Sequence, residues 1–268
     1  MSEVRQRWRL VFARGEEAQF LSHLDAVRLW ERAFRRGDIP VATSEGFSPR
    51  PKLIFAAPLQ LGMLAEHELA DVYLAERLGV VELRGRLAAG MPRGYRVVDL
   101  HDVWTGAPAL APQLAAADYR LTLLNVEQDH LDDAATRLLA TDRLPRERHK
   151  EGRSIPYDLR PLLLDLRVVP ADPAAVPPDA ESSPAAGLWM QLRHSQNSGS
   201  GRPDEVVAAL AGEMGMSVDA AWRGDDQTES MESAATRGHS AEQPAADRCV
   251  EVVRPVRERL WLADELPG

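Results

Sequence analysis

Residues 6–13 read Gln-Arg-Trp-Arg-Leu-Val-Phe-Ala, so that large apolar side chains alternate with arginines. A period of two is the pattern of a β-strand with one buried face. Ser22 and Asp25, three residues apart, then form a short capping box, which predicts the start of a helix. We expect that helix to end at Arg36, because Gly37 follows it. A strand followed by a helix is the start of a sheet with a helical layer on it.

The next elements complete a recognisable unit. The pattern predicts strands at 52–57, 68–75 and 95–103 and a helix at 79–90. The order β-α-β-β-α-β is the split βαβ, or ferredoxin-like, arrangement. We therefore assign residues 1–105 to a first ferredoxin-like half.

The rest of the chain repeats the pattern more loosely. Residues 106–117, rich in Ala and Pro, predict a linker, and 118–268 predicts a second, degenerate ferredoxin-like half. Its predicted strands are 118–125, 145–149, 162–168 and 187–193, with a terminal strand or hairpin at 249–262, and its predicted helices are 128–140 and 203–214. Residues 215–248 are polar with few apolar anchors, which predicts a disordered insertion. The predicted fold class is α+β, with two tandem ferredoxin-like halves and antiparallel sheets.

Composition and cysteine usage exclude several classes of protein. The 268 residues are 44% hydrophobic and 27% charged, which suits a chain with a buried core. No apolar run approaches the roughly 18 residues of a membrane span, and the N-terminus is charged throughout, so we expect a cytoplasmic protein with no membrane partner. Cys249 is the single cysteine, and the seven histidines lack ligand spacing. We therefore predict no disulfide, no metal site and no cofactor.

The net charge of −9 is unevenly distributed. Residues 1–58 hold ten basic and seven acidic side chains, whereas residues 171–268 hold eight and seventeen. The N-terminal surface is therefore expected to be positive although the whole chain is acidic.

The predicted first helix carries most of that positive charge on one face. At about 100° per residue, four arginines share one arc, namely Arg28, Arg32, Arg35 and Arg36. The opposite arc predicts the core face, with Leu24, Val27, Leu29, Trp30, Ala33 and Phe34. A polyanion would relieve the repulsion between the guanidiniums. A solvated helix face is the alternative interpretation.

The loop after this helix combines an aromatic ring with two cations. It runs from Ser44 to Lys52, and Pro49 and Pro51 stiffen it. Phe47 could stack on a base while Arg50 and Lys52 meet phosphates, which is the combination used by single-strand binders. Alternatively, Phe47 fills the core and the prolines only guide the chain.

These stretches resemble the radical-SAM-linked family, a domain of unknown function found beside or fused to radical SAM proteins. The similarity lies in Phe20-Leu-Ser-His-Leu-Asp25, Arg32-Ala-Phe-Arg-Arg36, Ser44-Glu-Gly-Phe-Ser-Pro-Arg-Pro-Lys52 and Pro58-Leu-Gln-Leu-Gly62. Where the family usually has Gly-Phe-Asn-Pro-His-Pro, this chain has Ser48 and Arg50 in place of Asn and His. The later Asp158-Leu-Arg-Pro161 and Gly201-Arg-Pro203 also look like family motifs.

The resemblance implies kinship with proteins encoded near radical SAM and ribonuclease E/G-type genes, but no established reaction. A radical SAM enzyme needs three cysteines for its cluster, and this chain has only Cys249. It is therefore not itself a radical SAM enzyme, and is either accessory to one or independent of it.

Two further groups of residues are candidates for a site. His23, in the first helical turn, is a possible general acid or base if it faces the 44–52 loop. A secondary basic cluster comprises Arg146, Arg148, Lys150 and Arg153. Its alternative interpretation is a solvated hairpin with local pairing to Glu147 and Glu151.

Three functional hypotheses follow from the sequence. The first is a non-catalytic RNA-binding accessory protein that acts in tRNA or rRNA processing or modification. The second is an RNA-processing or modifying enzyme that uses His23. The third is a protein-only adaptor for a radical SAM enzyme or a ribonuclease.

Overall fold

The computed structural model describes residues 3–44, 49–150, 153–180, 182–195, 199–219, 222 and 249–266. The chain divides into two compact units. The first comprises residues 1–117 with 195–197 and 256–268, and the second comprises 118–194 with 198–255. The predicted boundaries, 1–105 and 118–268, stay a prediction.

The first unit begins as the alternating pattern predicts. Its elements are β1 (Gln6–Arg14), α1 (His23–Arg36), β2 (Leu53–Phe55), β3 (Leu64–Leu74), α2 (Val80–Gly90) and β4 (Tyr95–Val103). All six were predicted in this order, although β2 is shorter and β3 starts earlier than expected.

The second unit contains the remaining elements. They are β5 (Leu114–Leu124), α3 (Gln128–Ala140), β6 (Pro145–Lys150), β7 (Arg153–Asp158), β8 (Leu163–Val169), β9 (Ala185–Ser195), β10 (Gly199–Ser200), α4 (Pro203–Glu213), β11 (Ser217–Val218) and β12 (Cys249–Leu262). The first residues of β5 and the last of β12 belong to the first unit. The fold is therefore mixed α+β with four helices among the described residues.

The sheet of the first unit is antiparallel through β2, β3, β1 and β4, in that order. Leu10 of β1 lies opposite Ala70 of β3 and Leu100 of β4. A short parallel pairing sets Val256 of β12 opposite Leu64. In the second unit, β8 pairs with β9, β9 lies next to β5, and β5 lies next to β12.

Two sequence predictions in the second half need correction. The predicted linker is partly ordered, because Leu110 is buried and β5 already starts at Leu114. Two of its four buried positions are alanines, Ala116 and Ala117, which weaken the strand pattern. The predicted insertion at 215–248 also contains structure, since Ser217 and Val218 of β11 pair with Cys249 and Val250. Most of that stretch, residues 223–248, lies outside the described residues.

The core of the first unit lies between β1 and the helices. Trp8, Leu10 and Phe12 are buried with Trp30 and Phe34 of α1. The Phe12 and Trp30 rings meet edge-on with centroids 5.0 Å apart, a favourable arrangement for aromatic pairs. This side of the sheet therefore faces α1, as the alternation in β1 predicts. Among the described residues, no helix is both long and apolar enough to cross a membrane.

The opposite side of β1 holds buried charge. Arg7 Nη2 and Arg9 Nε lie 2.5 Å and 2.9 Å from the carboxylate oxygens of Asp71, whose side chain is fully buried. Arg7 also donates to the carbonyl oxygens of Ala107 and Pro108. These bonds satisfy a guanidinium that would otherwise be costly to bury.

We predict that Asp71→Asn destabilises the protein by roughly 3–5 kcal/mol, because it leaves Arg7 buried without a countercharge. Urea denaturation gives the free energy of unfolding. Asp99→Asn is the matched control, since Asp99 pairs with Arg84 at an exposed site and should cost about 1 kcal/mol or less. Equal losses in the two variants would contradict this account.

Helices α1 and α2 approach each other closely where α2 ends. A Cβ added to Gly90 would lie 2.2 Å from the carbonyl oxygen of Ala33. Arg36 Nη2 donates to the Gly90 carbonyl oxygen at 2.8 Å. Only the missing side chain of Gly90 permits this backbone contact.

Gly90→Ala is therefore expected to lower the free energy of unfolding by roughly 1–3 kcal/mol, since the helices must move apart. Gly85, in the middle of α2, has no neighbour near an added Cβ. Gly85→Ala should instead stabilise the protein by about 0.5–1 kcal/mol. Urea denaturation of both variants tests the pair, and a tolerated Gly90→Ala would refute the close approach.

Candidate nucleic-acid interface

Helix α1 begins with a side-chain cap. Ser22 Oγ accepts a hydrogen bond from the Asp25 backbone N–H at 3.2 Å and donates one to the Asp25 carboxylate at 2.8 Å. The cap satisfies one of the amides that the first turn leaves unpaired, and the carboxylate lies at the positive end of the helix dipole. The predicted cap at Ser22 is therefore confirmed, as is the helix end at Arg36. The Asp25 carboxylate accepts from Ser22 Oγ and not from the Ser22 backbone N–H, so only half of a capping box is formed among the described residues.

The outer face of α1 presents the predicted arginines to solvent. Trp30, Ala33 and Phe34 are buried on the inner face. The exposed arginines are Arg28, Arg32, Arg35 and Arg36. The amphipathic pattern therefore predicted correctly which side of α1 carries the charge.

One assignment on this helix was wrong. Leu24 was expected in the core, but it is 64% exposed. It precedes Arg28 by four residues, which places it only about 40° from that arginine around the helix. Leu24 therefore extends the row of arginines toward the start of the helix.

The four guanidiniums differ in their partners. Arg28 Nη1 lies 3.4 Å from Asp25 Oδ1, and Arg36 donates to the Gly90 carbonyl oxygen. Within the part of the chain that the structure describes, Arg32 and Arg35 contact no carboxylate and no hydrogen-bond acceptor. These two side chains are the uncompensated charges of the row.

The loop after α1 is closed at its base. The Ser44 N–H donates to the Arg50 carbonyl oxygen at 2.8 Å, and the Arg50 N–H donates to Ser44 Oγ at 3.1 Å. Thr43 and Pro51 form a β-bridge beneath these bonds. Arg50 is exposed at this closed base, whereas Phe47 lies outside the described residues.

Lys52 lies on a different surface from the one expected. Its Nζ is 4.5 Å from the centroid of the Tyr73 ring, within the range of a cation–π interaction. Tyr73 also has the Arg7 guanidinium 5.4 Å from its ring centroid. Since side chains alternate along a strand, Tyr73 and Asp71 share the face of β3 that points away from α1. Lys52 is therefore separated from the α1 arginines by the sheet.

The secondary basic cluster lies on the β6–β7 hairpin of the second unit. Arg146 Nε is 3.7 Å from Glu205, so this cation already has an acidic neighbour. Arg153 is exposed and lies opposite Lys150 in the hairpin. The side chains of Arg148 and Lys150 are outside the described set.

His23 is exposed, and its ring lies at the edge of the core of the first unit. Its ring meets the Phe55 ring edge-on, with centroids 5.5 Å apart. It lines a cavity of about 20 Å³ together with Arg14, Glu68 and Tyr95, a volume that fits a single water molecule. Burial lowers the pKa of His23. A neutral imidazole here can accept a proton from water, and the cavity beside it has room for one water molecule.

Sequence analysis missed the buried ion pair that borders this cavity. Arg257 Nε donates to Glu68 Oε1 at 2.6 Å, and Arg257 Nη2 donates to Glu68 Oε2. Both side chains are buried. A carboxylate in a strand whose other residues are mostly buried was the available signal. Its partner could not be identified, because it is 189 residues away along the chain.

A second pocket, of about 640 Å³, lies in the second unit and was also missed. Its acidic lining residues are Glu127, Asp133 and Glu213, and its basic ones are His130 and Arg137. Arg137 is already paired with Glu213 at 3.3 Å. This excess of carboxylates makes the pocket a poor site for phosphate. Among the described residues, no group of His, Cys, Asp or Glu side chains could hold a metal ion.

The comparisons with known proteins identify the family of this chain but give no activity for it. Residues 7–199 match the model of a family described as "Uncharacterized protein conserved in bacteria (DUF2344)". This chain belongs to that family. No curated protein matches it.

The chain is also similar to a solved structure titled "Crystal Structure of an Unknown Protein from Galdieria sulphuraria". The identity is 14%, and the match covers 78% of this chain and 91% of that chain. Its TM-score is 0.24, which is too low to carry an inference about the fold.

His23 should make stability depend on pH. Its pKa in the folded protein is lowered by burial from 6.5, so below that pH the unfolded chain binds a proton that the folded protein resists. We expect the free energy of unfolding to fall more steeply between about pH 7 and pH 5 in the wild type than in His23→Gln. Urea denaturation across this range measures the difference. Parallel curves would show that His23 is not desolvated.

Proposed function

We propose that this member of the family is a non-catalytic RNA-binding protein that contacts RNA through the outer face of α1 and acts in tRNA or rRNA processing or modification. The observation that carries the proposal is the pair Arg32 and Arg35, exposed and without an acidic partner among the described residues. Arg28, one turn before Arg32, has the exposed Asp25 as its one acidic partner within the described part of the chain. Unpaired like charges on one face favour a polyanionic ligand, because its phosphates relieve their repulsion.

The position of the arginines on α1 supports this proposal further. The helix is held by its Ser22 cap at one end and by the contact with Gly90 at the other. Because the helix is fixed, its arginines keep their spacing along it. Binding of a phosphate backbone therefore does not require this part of the protein to become ordered first. Arg50, exposed at the base of the following loop, is a further candidate contact. Lys52 is omitted from the proposed surface because it contacts Tyr73 on the other face.

The proposed scaffold is the pair of ferredoxin-like halves predicted from the sequence. The order β2, β3, β1, β4 in the first unit and β8, β9, β5, β12 in the second supports this interpretation. Counted among the four strands of each order, the first along the chain lies between the third and the fourth.

The proposed partnership with a radical SAM enzyme or a ribonuclease E/G-type protein rests on the sequence resemblance. With Cys249 as its single cysteine, the chain cannot supply the ligands of an iron–sulfur cluster by itself. In a shared process it would therefore hold the RNA while a partner carries out the chemistry.

The enzymatic alternative uses His23, whose ring borders a cavity with Tyr95 and Glu68. Both carboxylate oxygens of Glu68 are taken by Arg257, and Arg14 is bound to backbone carbonyls. These groups already have partners within the fold, and the cavity is the size of one water molecule. RNA binding without turnover is therefore the better-supported function.

A titration of fluorescent single-stranded and hairpin RNA at several salt concentrations tests the proposal. Each phosphate contact with a single strand adds about 0.7 to the slope of log K against log salt. The double variant Arg32→Glu/Arg35→Glu should bind at least about tenfold more weakly and reduce the slope by about 1.4, since two contacts are lost.

The matched control is Arg77→Glu/Arg96→Glu, which makes the same charge change at two exposed arginines outside α1. It should retain most of the affinity. Equal losses in both double variants would show that only overall charge matters, and no binding by the wild type at low salt would end the proposal. Loss of RNA turnover with intact binding in His23→Ala would favour the enzyme instead.

A further inference from the structure

An exposed apolar group lies at the start of α1. Phe20 is 74% exposed, Leu24 is 64% exposed and Leu61 is 59% exposed. By contrast, Phe12 and Phe34 of the same unit are buried. Leu61 precedes Gly62, which borders the Phe20 ring, and Leu24 follows Phe20 by four residues. Exposed apolar residues that are grouped rather than scattered point to an interaction surface.

The backbone around Phe20 is held rigidly. Arg14 is buried, and its guanidinium donates to the carbonyl oxygens of Ala18 at 2.7 Å, Gln19 at 2.5 Å and Leu21 at 2.9 Å. The Gln19 side-chain amide also donates to the Gly62 carbonyl oxygen at 2.7 Å, and the Gly62 N–H donates back to the Gln19 carbonyl oxygen. A buried charge therefore fixes both neighbours of an exposed ring.

The chain around Gly62 lies next to that ring. Gly62 has a φ of +79°, and a Cβ added to it would be 3.7 Å from Phe20 Cε1. One edge of the ring therefore lies near the backbone at Gly62, while most of its surface stays open to solvent. A pre-positioned ring loses little conformational entropy when a ligand stacks on it.

The row of arginines continues directly from this apolar group. Leu24, Arg28, Arg32 and Arg35 follow one another at helical spacings of four, four and three residues, so they form one stripe along α1. From Leu24 to Arg32 the stripe spans about 12 Å at the helical rise of about 1.5 Å per residue. The apolar end and the cationic part therefore lie within reach of one short stretch of nucleotides.

We infer that the ligand is single-stranded RNA, with an unpaired base stacked on Phe20 and the adjoining phosphates on Arg28 and Arg32. This inference rests on the proposed function and specifies its ligand class. In a duplex the bases stack on one another and are not free to cover an aromatic ring, whereas unpaired bases can. The charge of the arginine row selects a polyanion, and the ring selects one with exposed bases.

The experiment uses the full chain and a nine-nucleotide RNA that carries 2-aminopurine at one position. Stacking on Phe20 should change the 2-aminopurine fluorescence on binding. Phe20→Ala should abolish that fluorescence change and lower the affinity about tenfold or more, which is the loss expected when one base no longer stacks on an aromatic ring. Phe20→Trp should restore both, because a tryptophan ring stacks at least as well.

The matched control is Trp104→Ala, since Trp104 is also an exposed aromatic residue of the first unit, at 77% exposure. It should leave both affinity and fluorescence unchanged. A duplex of the same sequence should bind the wild type and Phe20→Ala equally well. Circular dichroism and urea denaturation of Phe20→Ala confirm that the variant is folded.

The outcomes separate the two claims. If the wild type binds the single strand but Phe20→Ala binds it equally, the stacking inference is overturned and the proposed function stands. If the wild type binds no RNA at low salt, both are overturned. If Phe20→Ala weakens binding of the single strand and of the duplex equally, the ring acts by supporting the structure at the start of α1. The preference for unpaired bases is then refuted.

Discussion

The two-sided character of strand β1 is the constraint on which the first unit depends. Trp8, Leu10 and Phe12 pack under the helices, so the residues between them must face the other way. There, Arg7 is buried and held by Asp71. Burial of the apolar face stabilises the fold only while the Arg7–Asp71 ion pair is intact, because an unpaired buried guanidinium would cost several kcal/mol. The same alternation separates Lys52 from the arginines of α1.

A second buried arginine links the fold to the candidate site. Arg14, at the end of β1, binds the carbonyl oxygens of the turn that leads into α1. Burial lowers the pKa of Arg14, and the bonds to those carbonyls satisfy a guanidinium that is largely removed from bulk water. The exposed ring of Phe20 and the start of the arginine row are therefore held by a residue inside the core. In this unit, a buried charge orders a surface that is itself exposed.

Most elements of the first unit could be predicted, because each has a strong local signal. The period-two pattern marks β1, and the Ser22 cap and Gly37 mark the ends of α1. The signals weaken in the second half, where β7, β10 and β11 were missed and β5 began inside the predicted linker. Strand β11 has only two residues and exists through its pairing with β12, so its own sequence has too little pattern to reveal it. Leu24 was misplaced because a residue in the first turn can project beyond the core that the rest of its helix covers.

The sequence by itself determined the α+β class, the bounds of α1 and the face of that helix that carries the arginines. These features depend on side-chain periodicity and capping, which act between residues a few positions apart. Only the tertiary structure decided which of the cations are free, which side of the sheet Lys52 faces, and that Glu68 pairs with Arg257. Those outcomes depend on contacts between residues far apart in the chain, and local pattern carries no information about the partner.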